Sequence, residues 1–210
     1  METEHQNNSP SNLHPFLGIW IRTREVISQA MKEKNQTTVR LLIYAFGIVM
    51  SLNLSLTAYS GDFNSIPYIL IQALIRGILF GFVGWYGFSG LIYWIGKLFK
   101  GAGTFKEIKV AFAWAQVPMV FILFIIWPLN YLVFGNELFT SNTAYLGWGQ
   151  MALNFFVIVA EFIINVWYLV IVSKAIGVGH NVSGWKGFAI YIITALAFIL
   201  VIFSVMTFIG

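Results

Sequence analysis

The chain has 210 residues, 59% of them hydrophobic and 10% charged, with a mean hydropathy of +0.79 and a net charge of +4. That is more apolar surface than a water-soluble domain of this size can bury, and the apolar stretches run continuously over about 20 residues instead of alternating over about 10, which selects membrane-spanning helices over a β-barrel. The absence of cysteine excludes disulfides and thiol chemistry, His5, His14 and His180 share no ligand spacing, and the basic residues form no long tract, so neither a metal, a cofactor nor nucleic acid is expected.

Residues 1–14 are polar, without apolar periodicity, and are predicted to be disordered. Residues 15–36 place Phe16, Trp20, Ile27 and Met31 near one helical face, with Arg22, Arg24, Lys32 and Lys34 interspersed. This stripe is too short to span and predicts an amphipathic interfacial segment, with Thr23 as N-cap and Glu25 in the first turn. The remainder, 37–210, predicts an all-α polytopic bundle of five spans, at about 41–59, 68–99, 110–134, 148–172 and 187–209. The first span reads as an uncleaved anchor. Between spans two and three, Thr104 and Glu107 have the spacing of a capping box. Pro118 lies inside span three and Pro128 near its far end, which predicts a kink. The following loop, 135–147, is polar without being basic, and Ser183 is placed to cap the last span.

Basic residues alternate strictly between the connectors. Arg22, Arg24, Lys32, Lys34 and Arg40 precede span one; Lys97, Lys100, Lys106 and Lys109 follow span two; Lys174 and Lys186 follow span four; the other loops have none. Short basic loops are retained on the cytoplasmic side, so the expected location is the cell membrane with the N-terminus inside and the C-terminus outside. No internal repeat is visible, which argues against a transporter of inverted halves.

Arg76 and Glu161 are the ionisable base and acid deep inside the predicted spans, where a bare charge is costly. At 1.5 Å per residue they lie about 12 Å and 20 Å from the outer ends of their helices, a difference that two long side chains can bridge. The expectation is an ion pair joining spans two and four, helped by Gln72 and Asn154, with Asn165 a further polar group on span four. Its role is helix register or, alternatively, lining a pathway for a proton or ion. Gly77, Gly81, Gly84, Gly87 and Gly90 recur at three- and four-residue spacing and predict close helix packing, within the chain or with another membrane helix. Gly101 and Gly103 need only form a tight turn, since no phosphate-loop sequence surrounds them. His180 is expected at a surface or in a hydrogen bond, and Trp20, Trp94, Trp148 and Trp185 as interfacial anchors. No arrangement of nucleophile and base, and no aspartyl pair, appears in the spans, so no enzyme activity is expected.

Three stretches resemble a known family. The run from Pro15 to Trp20 followed by Arg24 and Glu25 resembles the N-terminal signature of bacterial members of the Yip (Ypt/Rab-interacting protein) family. Gly96 to Leu98, Gly103 to Glu107 and Ala113 to Pro118 are similar to its central motif, and Gly177 through Ser183 to Lys186 is similar to the stretch before its final span. Thr23 departs from the family, whose bacterial members often carry proline there, and the N-terminal region is shorter than in eukaryotic members, which bind small GTPases. The resemblance implies five spans and a non-catalytic accessory protein in contact with the lipid bilayer and with other membrane proteins. One bacterial relative accompanies an ABC exporter with a membrane-fusion subunit, assists its assembly and protects cells from a secreted toxic peptide, so exporter subunits are the implied partners, with a homo-oligomer as a further possibility. The alternative is a small permease or channel component using Arg76 and Glu161.

Overall fold

A computed structural model describes residues 14–33, 35–142 and 146–209. The polar stretch 1–13, and with it most of the predicted disordered segment, lies outside the described residues. Five helical stretches are long and apolar enough to cross a bilayer, in the order and near the positions predicted, and the chain is an all-α polytopic bundle.

Two short helices come first. Helix α1 (Pro15–Ile21) opens on a proline, whose missing N–H has no intrahelical partner to lose, and α2 (Thr23–Glu33) follows directly. Thr23 does not cap α2 as expected: its hydroxyl donates backwards to the Ile19 carbonyl at 2.8 Å, so it joins the two helices instead of opening the second. Ile19 and Ile27 are completely buried. Phe16 packs on Trp114, with ring centroids 5.6 Å apart, and Trp20 meets Phe121 edge-on at 5.1 Å. The apolar stripe of this amphipathic segment is thus covered by the bundle itself.

The first span, α3 (Gln36–Thr57), is capped by Asn35, whose side-chain oxygen accepts from the Thr38 amide at 3.2 Å. The second, α4 (Ile66–Leu98), lies against α3. The third is segmented: α5 (Phe105–Trp114), α6 (Val117–Phe121), a π-helical turn at Ile122–Ile126, and α7 (Trp127–Phe134). The break falls at Ala115 and Gln116, in the turn before Pro118, because proline cannot donate to the preceding turn and its ring crowds it. This segmented span occupies the centre: Ala111, Phe112, Ala113, Ala115, Gln116 and Val117 are all buried.

Helix α8 (Trp148–His180) pairs with α9 (Gly184–Ile209). The expected end of the fourth span near residue 172 is eight residues too early, because the helix continues to His180. Ala175 and Ile176 face the core and Gly177 and Gly179 permit close contact, so packing outweighs the poor helix propensity of glycine. The outer faces of α4, α8 and α9 carry Leu79, Val83, Phe155, Phe162 and Leu200, each at least 60% exposed. Such a continuous apolar exterior belongs in lipid.

The two ends of the bundle differ. The basic connectors all lie at one of them, together with α1 and α2. At the other end, the loop predicted to be merely polar tucks Leu138 and Phe139 under the helices, with Phe139 stacked on Trp127 at 5.7 Å. The Gly61 amide donates to the Phe139 carbonyl (2.8 Å) and Asp62 accepts from the Ser141 amide (2.9 Å), which ties the two loops together.

Candidate functional site

Polar side chains line a cleft beside α8, where Tyr168 is buried, Glu161 and Tyr191 are half-buried and Asn53 and Asn165 are exposed. Helix α8 presents Glu161, Asn165 and Tyr168 at i, i+4 and i+7, one face of a helix, towards a cavity of about 420 Å³. Asn53 of α3 and Tyr191 of α9 complete its polar wall, and Phe112 and Met119 belong to its apolar one. Glu161 lies about 20 Å along α8 from Trp148, deep in what the hydropathy makes a membrane-spanning helix. Its Oε1 accepts from Asn130 Nδ2 at 3.2 Å, and its backbone carbonyl accepts from Asn165 Nδ2 at 2.8 Å. The buried Gln116, at the break in span three, donates to the Phe112 carbonyl (3.1 Å) and the Tyr168 hydroxyl (3.3 Å), while its Oε1 has no partner among the described residues. Two separate hydrogen-bonded groups therefore meet α8, one joining Asn130 of α7 to Glu161 and one joining Gln116 to Tyr168.

Arg76 is not part of this cluster. Among the described residues the one ion pair joins Arg22 to Glu25 at 3.9 Å, and Arg76 and Glu161 are not brought together. The reason is helix arrangement: α4 packs along α3 and α8 along α9, with little contact between α4 and α8. Ten residues into α4, Arg76 is about 15 Å from the helix start, close enough for its long side chain to extend towards the interface. Gln72 and Asn154 make no side-chain hydrogen bond among the described residues, so neither supports such a pair.

The glycine series of α4 divides in two. A methyl added at Gly81 would lie 2.5 Å from the Ile43 carbonyl oxygen, one at Gly77 2.8 Å from the Ile48 side chain, and one at Gly47 of α3 would run into the Gly77 and Gly81 backbones. These three glycines bring α3 and α4 into backbone contact. Gly84, Gly87 and Gly90 have nothing within 4 Å of such a methyl. They face outwards.

A third cluster closes the basic end. The His180 ring takes the hydrogen-bonded one of its two expected places: it is completely buried and lies against Gly96 and Gly101, whose added methyls would run into it. Its Nε2 is 3.0 Å from the Ile92 carbonyl oxygen, which can only accept, so Nε2 carries the proton, and Nδ1 has no partner among the described residues. The Ala102 amide donates to the His180 carbonyl at 2.9 Å, and Gly103 presses on the Gly179 backbone. Beside it, Thr104 and Glu107 exchange side-chain and backbone bonds at the start of α5: the Thr104 amide donates to Glu107 Oε2 at 2.8 Å and the Glu107 amide to Thr104 Oγ1 at 3.3 Å. The glycines of the connector thus serve to seat an imidazole and a neighbouring helix end.

Each of the three stretches singled out in the sequence takes part in this architecture: 15–20 docks on α5, 96–107 and 177–180 close around His180, and 113–118 forms the central break. A family model, the Yip1 domain, matches residues 17–206. The chain belongs to the Yip1 domain family. No curated protein and no solved structure matches it. Membership makes it a multi-pass membrane protein of the Yip type, in contact with the bilayer through its apolar helices.

Sequence reasoning missed Asn53, Gln116, Asn130, Tyr168 and Tyr191. Each is a polar side chain in an apolar run, and that signal was present; what connects them is helix rotation, which the sequence does not display. Gly47 was missed for the same reason. Of the four tryptophans expected at boundaries, Trp94, Trp148 and Trp185 are largely exposed, whereas the indole nitrogen of Trp20 is buried within the protein.

Proposed function

We propose that this Yip1-domain protein is a non-catalytic accessory component of the cell membrane, N-terminus inside, that binds other membrane proteins through the outward face of α4. The observation that carries this is the unused half of its glycine series. Gly84, Gly87 and Gly90 leave a side-chain-free strip on a helix whose neighbouring residues, such as Val83, are apolar and exposed. A partner helix could approach there as closely as α3 approaches Gly77 and Gly81. The family resemblance extends the proposal to an ABC exporter with its membrane-fusion subunit, and through it to protection against a toxic peptide. Crosslinking in intact membranes, followed by purification in mild detergent, should recover defined membrane partners, and Gly87→Leu should abolish that recovery without loss of folded protein. Recovery of the chain alone sinks the reading, and recovery of a second copy of this chain would replace it with self-association.

A second reading, a small permease or channel component, is favoured by the cavity beside Glu161, although Arg76 takes no part in it. Reconstituted liposomes decide: proton or cation flux sensitive to Glu161→Gln supports it, and no flux removes it.

A further inference from the structure

At the basic end, α8 and α9 separate to leave a groove of about 530 Å³ that opens on the lipid-facing surface. Its floor is Val166, Leu169, Val170 and Phe188, with Trp185, 84% exposed, on its flank. Above that floor the Arg24 guanidinium and the aliphatic stem of Lys174 approach the first residue of α9. A methyl added at Gly184 would lie 3.6 Å from the Arg24 guanidinium and 3.9 Å from Cγ of Lys174, whose ammonium lies further along the same side chain. Arg24 comes from α2 and Lys174 from α8, so the site exists only because the N-terminal helices dock on the bundle. No acidic residue lines the groove, and among the described residues neither cation has a carboxylate within 4.0 Å. The α9 N-terminus, capped only in part by the Ser183 hydroxyl, adds the positive end of a helix dipole to the same place.

We infer that this groove holds an anionic phospholipid of the leaflet at the basic end, with an acyl chain along Val166 to Phe188 and its phosphate between Arg24 and Lys174. The groove has the size of a small-molecule site, it is continuous with the lipid phase, and its one polar corner is positive. Those three properties match a molecule that has a long apolar chain and one phosphodiester charge. A zwitterionic lipid satisfies the first two and gains less from the third, because its own cation opposes Arg24 and Lys174.

The test uses the full chain purified in nonionic detergent, with phosphatidylglycerol, phosphatidylcholine or glycerol phosphate added and retained molecules counted by native mass spectrometry. Phosphatidylglycerol should bind at least about ten-fold more tightly than phosphatidylcholine, and glycerol phosphate should neither bind nor compete. At about five-fold per basic group near a membrane surface, the double change Arg24→Gln with Lys174→Gln should weaken phosphatidylglycerol about 30-fold and leave phosphatidylcholine unchanged. Val170→Trp, which fills the groove and keeps both cations, should weaken both lipids. The pair Arg22→Gln and Arg40→Gln removes the same net charge elsewhere and should change nothing. Equal retention of the two lipids, or an equal loss in that control pair, overturns the inference. Should the Arg24 and Lys174 variant not fold, brominated phosphatidylglycerol added to the unaltered chain still decides: it should quench a component of emission that Trp185→Phe removes, and absence of that component overturns the inference as well.

Discussion

The two halves of α4 both carry closely set glycines, four residues apart in the first and three apart in the second, and do different things with them. From Gly77 to Gly81 the helix touches the α3 backbone around Gly47, whereas a methyl added at Gly84, Gly87 or Gly90 would meet nothing within 4 Å among the described residues. Small residues in a membrane helix therefore report where a neighbour could approach, and the first half shows what such a neighbour looks like once it has arrived. In one half the absent side chain is a requirement of the fold. In the other it is surface left for something else.

Substitutions should separate the halves. Gly81→Leu forces a side chain into the α3 backbone, beyond any rotamer adjustment, and should cost at least about 3 kcal/mol, read as loss of folded protein in a denaturant titration in detergent. His180→Ala removes the ring that fills the glycine cradle at the lower end of the same helix and its bond to Ile92. It should cost about 2–4 kcal/mol by the same titration, and Gly96→Ala, which displaces the ring, should act in the same direction. Thr104→Ala removes one side of the reciprocal cap next to that cradle and should cost about 1 kcal/mol. Gly87→Leu, on the open half, should change stability by no more than about 0.5 kcal/mol while abolishing partner recovery. If Gly81→Leu and Gly87→Leu prove equally harmful to the isolated chain, the division of the helix is wrong.

Much of this architecture could be read in advance. Five apolar stretches, their order, the break at Pro118 and the exchange between Thr104 and Glu107 depend on residues close together in the chain, and the family stretches at 96–107 and 177–186 were visible as well. Three features escaped. Glu161 was matched with Arg76 on depth alone, but depth leaves rotation about the helix axis free, and the structure turns Glu161 towards Asn130. His180, beside Gly179 and Asn181, read as a loop residue, yet the helix continues to it and the distant Gly96 and Gly101 make room for its ring. The loop after α7 looked polar by composition, and its two apolar residues, Leu138 and Phe139, decide its path.

The sequence by itself determined the solvent, the number of spans and the clustering of basic connectors at one end, because transfer of an apolar stretch into lipid is a property of that stretch alone. Only the tertiary structure decided which glycines are used, which partner holds Glu161, why His180 is buried and how Arg24 and Lys174 come to line one groove. Those outcomes depend on how each helix is rotated and where it crosses the next, and contacts between residues dozens of positions apart set both.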